Sequence, residues 1–112
     1  MTKPMNNQSE LDRSTAHSHP GDLLKRRYLE PLNIKAQGLA TAMGISKSQV
    51  SRILSGRCSI TADVALRLEH CLGASAEMWM KLQMAHDLEI TKRSFDSAGL
   101  ERLHQSDHSK DA

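Results

Sequence analysis

The sequence predicts an all-α domain of five helices, and three observations predict it. Glycines at 44, 56 and 73 each follow a stretch with helical apolar spacing. Ser46, Thr61 and Ser75 stand where the next stretches begin, as capping residues do. No segment alternates apolar and polar residues as a strand would, and there is no internal repeat or low-complexity tract.

Taken in order, residues 1–18 are rich in Ser, Asn, Thr and Gln without a period, which predicts a flexible arm. Pro20 suits a helix start, where its missing N–H would have no partner anyway, and Asp22 complements the positive end of that helix. The segment GDLLKRRYLE, with Leu24 and Tyr28 four apart, forms the first helix, and Pro31 ends it. A second helix covers about 36–43, with Leu39, Ala40 and Met43 inward. Ser46 caps a third, and Gln49 three places on completes a capping box. That helix runs to about Ser55, and Gly56 closes it. Thr61 and Asp63 open a fourth, whose apolar stripe is Val64, Ala65, Leu68, Cys71 and Leu72, and Gly73 stops it. Ser75 and Glu77 open a fifth, which runs to about Ile90. Leu100 and Leu103 support at most one loose turn in a tail expected to be mostly disordered. The expected organisation is an arm over 1–18, a domain over 19–91 and a tail over 92–112.

Composition narrows the function. A chain of 112 residues is one domain at most, and with 3% aromatics its core must be aliphatic. The fifth helix carries Met78, Trp79, Met80, Leu82, Met84, Ala85 and Leu88 around most of its circumference. So short a chain has little material to cover two sides of a helix. The helix is therefore expected to pair two copies through Met80, Met84 and Leu88, against the plainer reading that it only packs the core. The N-terminus lacks the apolar run of a signal peptide, and no stretch approaches the roughly 20 apolar residues of a membrane span. Cys58 and Cys71 form no CxxC pair, which fits a reduced, cytoplasmic compartment and inert thiols. His17 with His19, and His104 with His108, fall in the expected flexible ends without a third ligand, so no metal or other cofactor is expected. His70 and His86 read as surface or boundary residues. P-loop, GxSxG and HExxH motifs are absent, which argues against an enzyme.

Residues 36–55, AQGLATAMGISKSQVSRILS, carry the functional signal. Ala40 is small where a second helix must cross, Gly44 permits positive φ in the turn, and Val50 anchors the second helix inward. This is the spacing of a helix-turn-helix, whose second helix enters the major groove of DNA. Between Glu30 and Asp63 there is no acidic residue, while Lys35, Lys47, Arg52 and Arg57 all fall there. Basic charge without local neutralisation suits a phosphate-facing surface. With Val50 inward, Ser46, Lys47, Ser48, Ser51 and Arg52 form the expected DNA-facing set. Arg52 is suited to guanine, and Lys47 to guanine or phosphate. Arg57 and Gln37 are candidates for phosphate contact.

With those residues in view, the chain resembles the HigA/VapI-like antitoxins of bacterial toxin–antitoxin modules, within the phage-repressor (XRE) class of helix-turn-helix proteins. The resemblance spans about residues 19–90. HPGDLLKRRYLEPL is similar to the family's opening, GISKSQVSRILSGRCSITADVALRLE to its central block and AEMWMKLQMAHDLE to its closing helix. Trp79, Leu82, Gln83, Asp87 and Leu88 stand at matching places, whereas Ala36 stands where many relatives carry Gln. The resemblance implies a five-helix phage-repressor-like fold, a homodimer, a palindromic double-stranded operator and base-reading roles for Lys47, Ser48 and Arg52. It also implies a HigB-like mRNA endonuclease toxin as partner, held inactive by the antitoxin. Two other readings remain: a stand-alone XRE-family regulator without a toxin, and an interaction module that does not bind DNA. The acid-free stretch argues against the second.

Overall fold

A computed structural model describes residues 19–104. Helix α1 is α-helical over Pro20–Leu24 and continues as a π-helical turn over Lys25–Leu29. Helices α2 (Ala36–Met43), α3 (Lys47–Leu54), α4 (Ala62–Leu72) and α5 (Ala76–Ser94) follow, and there is no strand among the described residues. They enclose one core. Leu24 and Leu29 come from α1, Leu39, Ala40 and Met43 from α2, and Val50 and Ile53 from α3. Ile60 precedes α4, which adds Val64, Ala65 and Leu68, and Trp79 of α5 is wholly buried. Its indole lies 5.6 Å from the Tyr28 ring, tilted by 53°, so the two largest aromatics seal the core where α1 meets α5.

The starts and stops are local chemistry. Ser46, Thr61 and Ser75 each accept, through the side-chain oxygen, the amide of the residue three places on. Gly44 sits at φ 74°, with the Gly44 amide donating to the Thr41 carbonyl and the Ile45 amide to the Ala40 carbonyl. Gly56, at φ 82°, repeats the arrangement: Gly56 donates to Ile53 and Arg57 to Arg52. These paired bonds satisfy carbonyls in the last turns of α2 and α3 and turn the chain sharply.

Two details depart from expectation. The first helix ends at Leu29, just ahead of Pro31 as expected, but it does so in a π turn; a further turn follows and closes at Asn33, at φ 56°, where the Ile34 amide donates to the Leu29 carbonyl. A proline ring clashes with the carbonyl four places back in a regular α-helix, and the widened π turn just before Pro31 relieves that crowding. Leu29 thereby faces the core together with Leu24. Helix α5 extends to Ser94, beyond the expected domain edge at 91. The described part of the tail makes only a turn, with the Leu100 amide donating to Ser97, and Leu100 and Leu103 stay exposed because nothing packs against them. The arm at 1–18 and residues 105–112 lie outside the described residues.

The start of α1 is pressed against the end of α3. Gly21 is buried, and a Cβ there would fall inside the van der Waals envelope of the Ile53 carbonyl. Gly38, the third residue of α2, faces open space. Gly21→Ala should therefore destabilise the domain by about 2–3 kcal/mol through overpacking. Gly38→Ala should stabilise it by about 0.5–1 kcal/mol through helix propensity. Denaturant unfolding of both variants checks the pair.

Candidate nucleic-acid interface

The rotation of α3 follows from which of its residues are buried. Val50 and Ile53 are 1% and 2% exposed, so the opposite side of this two-turn helix faces out. Lys47, Ser48, Ser51 and Arg52 are all exposed on α3, Ser46 is exposed at its start and Arg57 just beyond its end. Gln49 is half-buried, and its amide donates to Ser46 Oγ at 3.0 Å, so the capping half of the expected box is formed. Gln37 is exposed in the first turn of α2, with Nε2 donating to Thr41 Oγ1 at 3.3 Å.

Charge pairing separates these cations from others on the surface. Arg26 pairs with Asp22 at 3.4 Å, and Arg67 with Asp63 at 2.8 Å. Among the described residues no carboxylate pairs with Lys35, Lys47, Arg52 or Arg57. The result is a cationic face, served by a short helix with hydroxyls and a guanidinium outward. Such a surface can bind phosphates and present donors to base edges.

Behind this face three polar residues hold the parts in register. Gln83 of α5 is 4% exposed. Its Oε1 accepts the buried Ile60 amide at 2.7 Å, and its Nε2 donates to Asp87 Oδ1 at 2.9 Å. Leaving the Ile60 amide unpaired would cost about 1–3 kcal/mol. Arg67 of α4 donates through Nη1 to the Met43 carbonyl at 2.7 Å, capping α2 at the turn into α3. His19, assigned above to a flexible end, is the N-cap of α1: its Nδ1 accepts the Gly21 amide at 2.9 Å. Its ring lies edge-on to His86, centroids 5.1 Å apart, and its Cβ lies against Gly56. The sequence marked Asp63 as a first-turn acid of this helix but gave no sign of Arg67's role, because the Met43 carbonyl it caps lies 24 residues away. A histidine just before Pro20 was the signal available for the cap.

Outward on α5, the apolar ring expected from the sequence divides in two. Trp79 and Gln83 are buried, whereas Met80, Met84 and Leu88 are 37%, 57% and 51% exposed, in line at four-residue steps. Cys58 and Cys71 are half-buried free thiols, and Cys71 Sγ donates to the Ala42 carbonyl at 3.3 Å. His17 and His108 lie outside the described residues, and His104 is exposed. No described helix is long and apolar enough to cross a membrane.

His19 yields a test of this register. Burial, the neighbouring His86 and, in the opposite sense, the Cys58 backbone and Asp87 act on it, and the balance holds its pKa below the ordinary 6.5. Nε2 carries the proton when Nδ1 accepts; it makes no hydrogen bond of good geometry, though the Cys58 backbone is near enough to favour a proton there. As pH falls through about 6.5 the unfolded chain takes up a proton that the folded chain resists, so stability declines until the folded pKa is passed. His19→Asn keeps a capping acceptor without titrating and should flatten this decline. Unfolding free energies of both proteins between pH about 7.5 and 5.5 check it.

The helix-turn-helix family model matches residues 25–79. The chain is 37% identical over 82 residues to virulence-associated protein I of Dichelobacter nodosus, covering 73% of this chain and 76% of that one. It is 39% identical over 75 residues to antitoxin HigA-1 of Vibrio cholerae, covering 67% and 70%. The solved structure of Pseudomonas aeruginosa antitoxin HigA with the higBA promoter superposes with a TM-score of 0.70 at 29% identity, covering 80% of this chain and 96% of that one. Sequence and fold agree: the chain belongs to the HigA/VapI-like antitoxin family of XRE-type helix-turn-helix proteins.

Proposed function

We propose that this protein is a dimeric, sequence-specific DNA-binding repressor that also neutralises a toxin partner. The observation that carries DNA binding is the exposed face of α3, where Lys47, Ser48, Ser51 and Arg52 stand out from a helix anchored by Val50 and Ile53, with no carboxylate paired to its cations. Lys47, Ser48 and Arg52 read base edges in the major groove; Ser46, Ser51, Arg57 and Gln37 hold phosphates or support the reading residues. The Pseudomonas aeruginosa relative solved with its promoter supports this use of the fold.

Pairing of two copies through Met80, Met84 and Leu88 is supported by their exposure, and by an apolar groove of about 380 Å³ beside Met80, lined in part by Ala62, Leu66 and Ala76. Two recognition helices about 34 Å apart would then meet successive major grooves on one face of an inverted repeat. Neutralisation of a HigB-like endonuclease is supported by the likeness to HigA-1. Co-expression with the product of the neighbouring reading frame tests it: a stable complex and rescued growth support the pairing, and their absence leaves a stand-alone regulator.

Arg52→Ala should weaken binding to the DNA upstream of the protein's own coding region by about 1–3 kcal/mol and relax preference at one base position. Arg57→Ala should weaken all sequences alike and lower the salt slope by about one. Anisotropy titrations over a salt series, with specific and scrambled duplexes, measure both. Met84→Glu should convert a dimer to a monomer without loss of helix content, read by sedimentation and circular dichroism.

A further inference from the structure

The segment joining α3 to α4 is tethered at both ends. At its start the Arg57 and Cys58 amides both donate to the Arg52 carbonyl, at 2.8 and 3.2 Å. Near its far end the Ile60 amide donates to Gln83 Oε1, and Ile60 itself is buried. Arg57 is exposed at the first of these tethers, and the path of the segment that leads on from it to Ile60 is set by where Gln83 holds the far end. Gln83 is in turn oriented by Asp87, one turn further along α5. The chain of donors runs from Ile60 N–H to Gln83 Oε1, and from Gln83 Nε2–H to Asp87 Oδ1. The same helix carries Met80, Met84 and Leu88 on its outer side.

We propose that Gln83, steered by Asp87, is a positioning residue for DNA binding: it aims Arg57 at the phosphate backbone by holding the loop behind the recognition helix. This rests on the reading of Arg57 as a phosphate contact. A buried glutamine that served stability alone would affect binding only by unfolding the domain. A positioning glutamine acts through Arg57, and its loss and the loss of Arg57 overlap.

The test is a double-mutant cycle on the full chain, with a scrambled duplex to isolate phosphate contacts, read above neutral pH as the slope of affinity against salt. Arg57→Ala should lower the slope by about one. Gln83→Leu should lower it by the same amount, with helix content unchanged, and the double variant should bind no worse than either single one. The exchange Gln83→Glu with Asp87→Asn rebuilds the network, since the new carboxylate accepts from both Ile60 and the new amide. It should restore the wild-type slope. Should Gln83→Leu fail to fold, Asp87→Ala, which frees Gln83 without removing it, should still lower the slope. A wild-type slope in the folded Gln83→Leu or Asp87→Ala variant overturns the proposal, as do losses that add in the double variant or an exchange that restores nothing. If Arg57→Ala alone keeps the wild-type slope, the phosphate reading itself fails and the proposal with it, an outcome visible in that single variant.

Discussion

The rotational setting of α3 decides everything that this surface can do. Burial of Val50 and Ile53 is the constraint that sets it. Each side chain removes enough apolar area from water to contribute about 1.5–3 kcal/mol, and both must be satisfied by the same rotation. Turning the helix by a quarter would carry one of the two out toward solvent and swing Arg52 or Lys47 inward, where a charge without a partner is costly. The cations face outward because the aliphatic residues leave them no alternative. The left-handed turn at Gly44 and the small side chain of Ala40 bring α3 close enough to α2 for this packing to form.

A second layer of polar bonds converts that packing into a defined surface. Hydrophobic contacts among Leu24, Leu39, Val50, Ile53 and Leu68 are not directional, so they hold α3 down without fixing the segments at its ends. The ends are fixed by directional groups: Arg67 on the Met43 carbonyl before α3, Gln83 on the Ile60 amide after it, and the His19-capped start of α1 against Gly56. Two of these three come from α4 and α5, which carry none of the expected DNA-facing residues. The outer helices thus set the geometry of a face to which they do not belong, and α5 does so while presenting Met80, Met84 and Leu88 on its other side.

Much of this was legible in the residues because it is local. Ser46, Thr61 and Ser75 cap as expected, Gly44, Gly56 and Gly73 take positive φ, and Leu39, Ala40, Met43, Val50, Val64, Ala65 and Leu68 are buried. These features depend on neighbours within about one helical turn, which the sequence displays directly. What escaped depends on contacts across the chain or on strain. The π turn before Pro31 is a compromise between proline crowding and the need to bury Leu29. The roles of Arg67, Gln83 and His19 need the positions of Met43, Ile60 and His86, which lie 24, 23 and 67 residues away. The division of α5 into a buried and an exposed apolar side depended on how far the domain extends beneath it, which the helix's own composition does not display.

The most direct measurement of the central claim is an amide chemical-shift map of the full chain titrated with a duplex from upstream of its own coding region. The account predicts that the large changes fall on residues 46–57 and the start of α2, with the core of α4 unmoved. Changes centred instead on α5, with α3 unaffected, would show that the exposed cationic helix is not the surface that meets DNA.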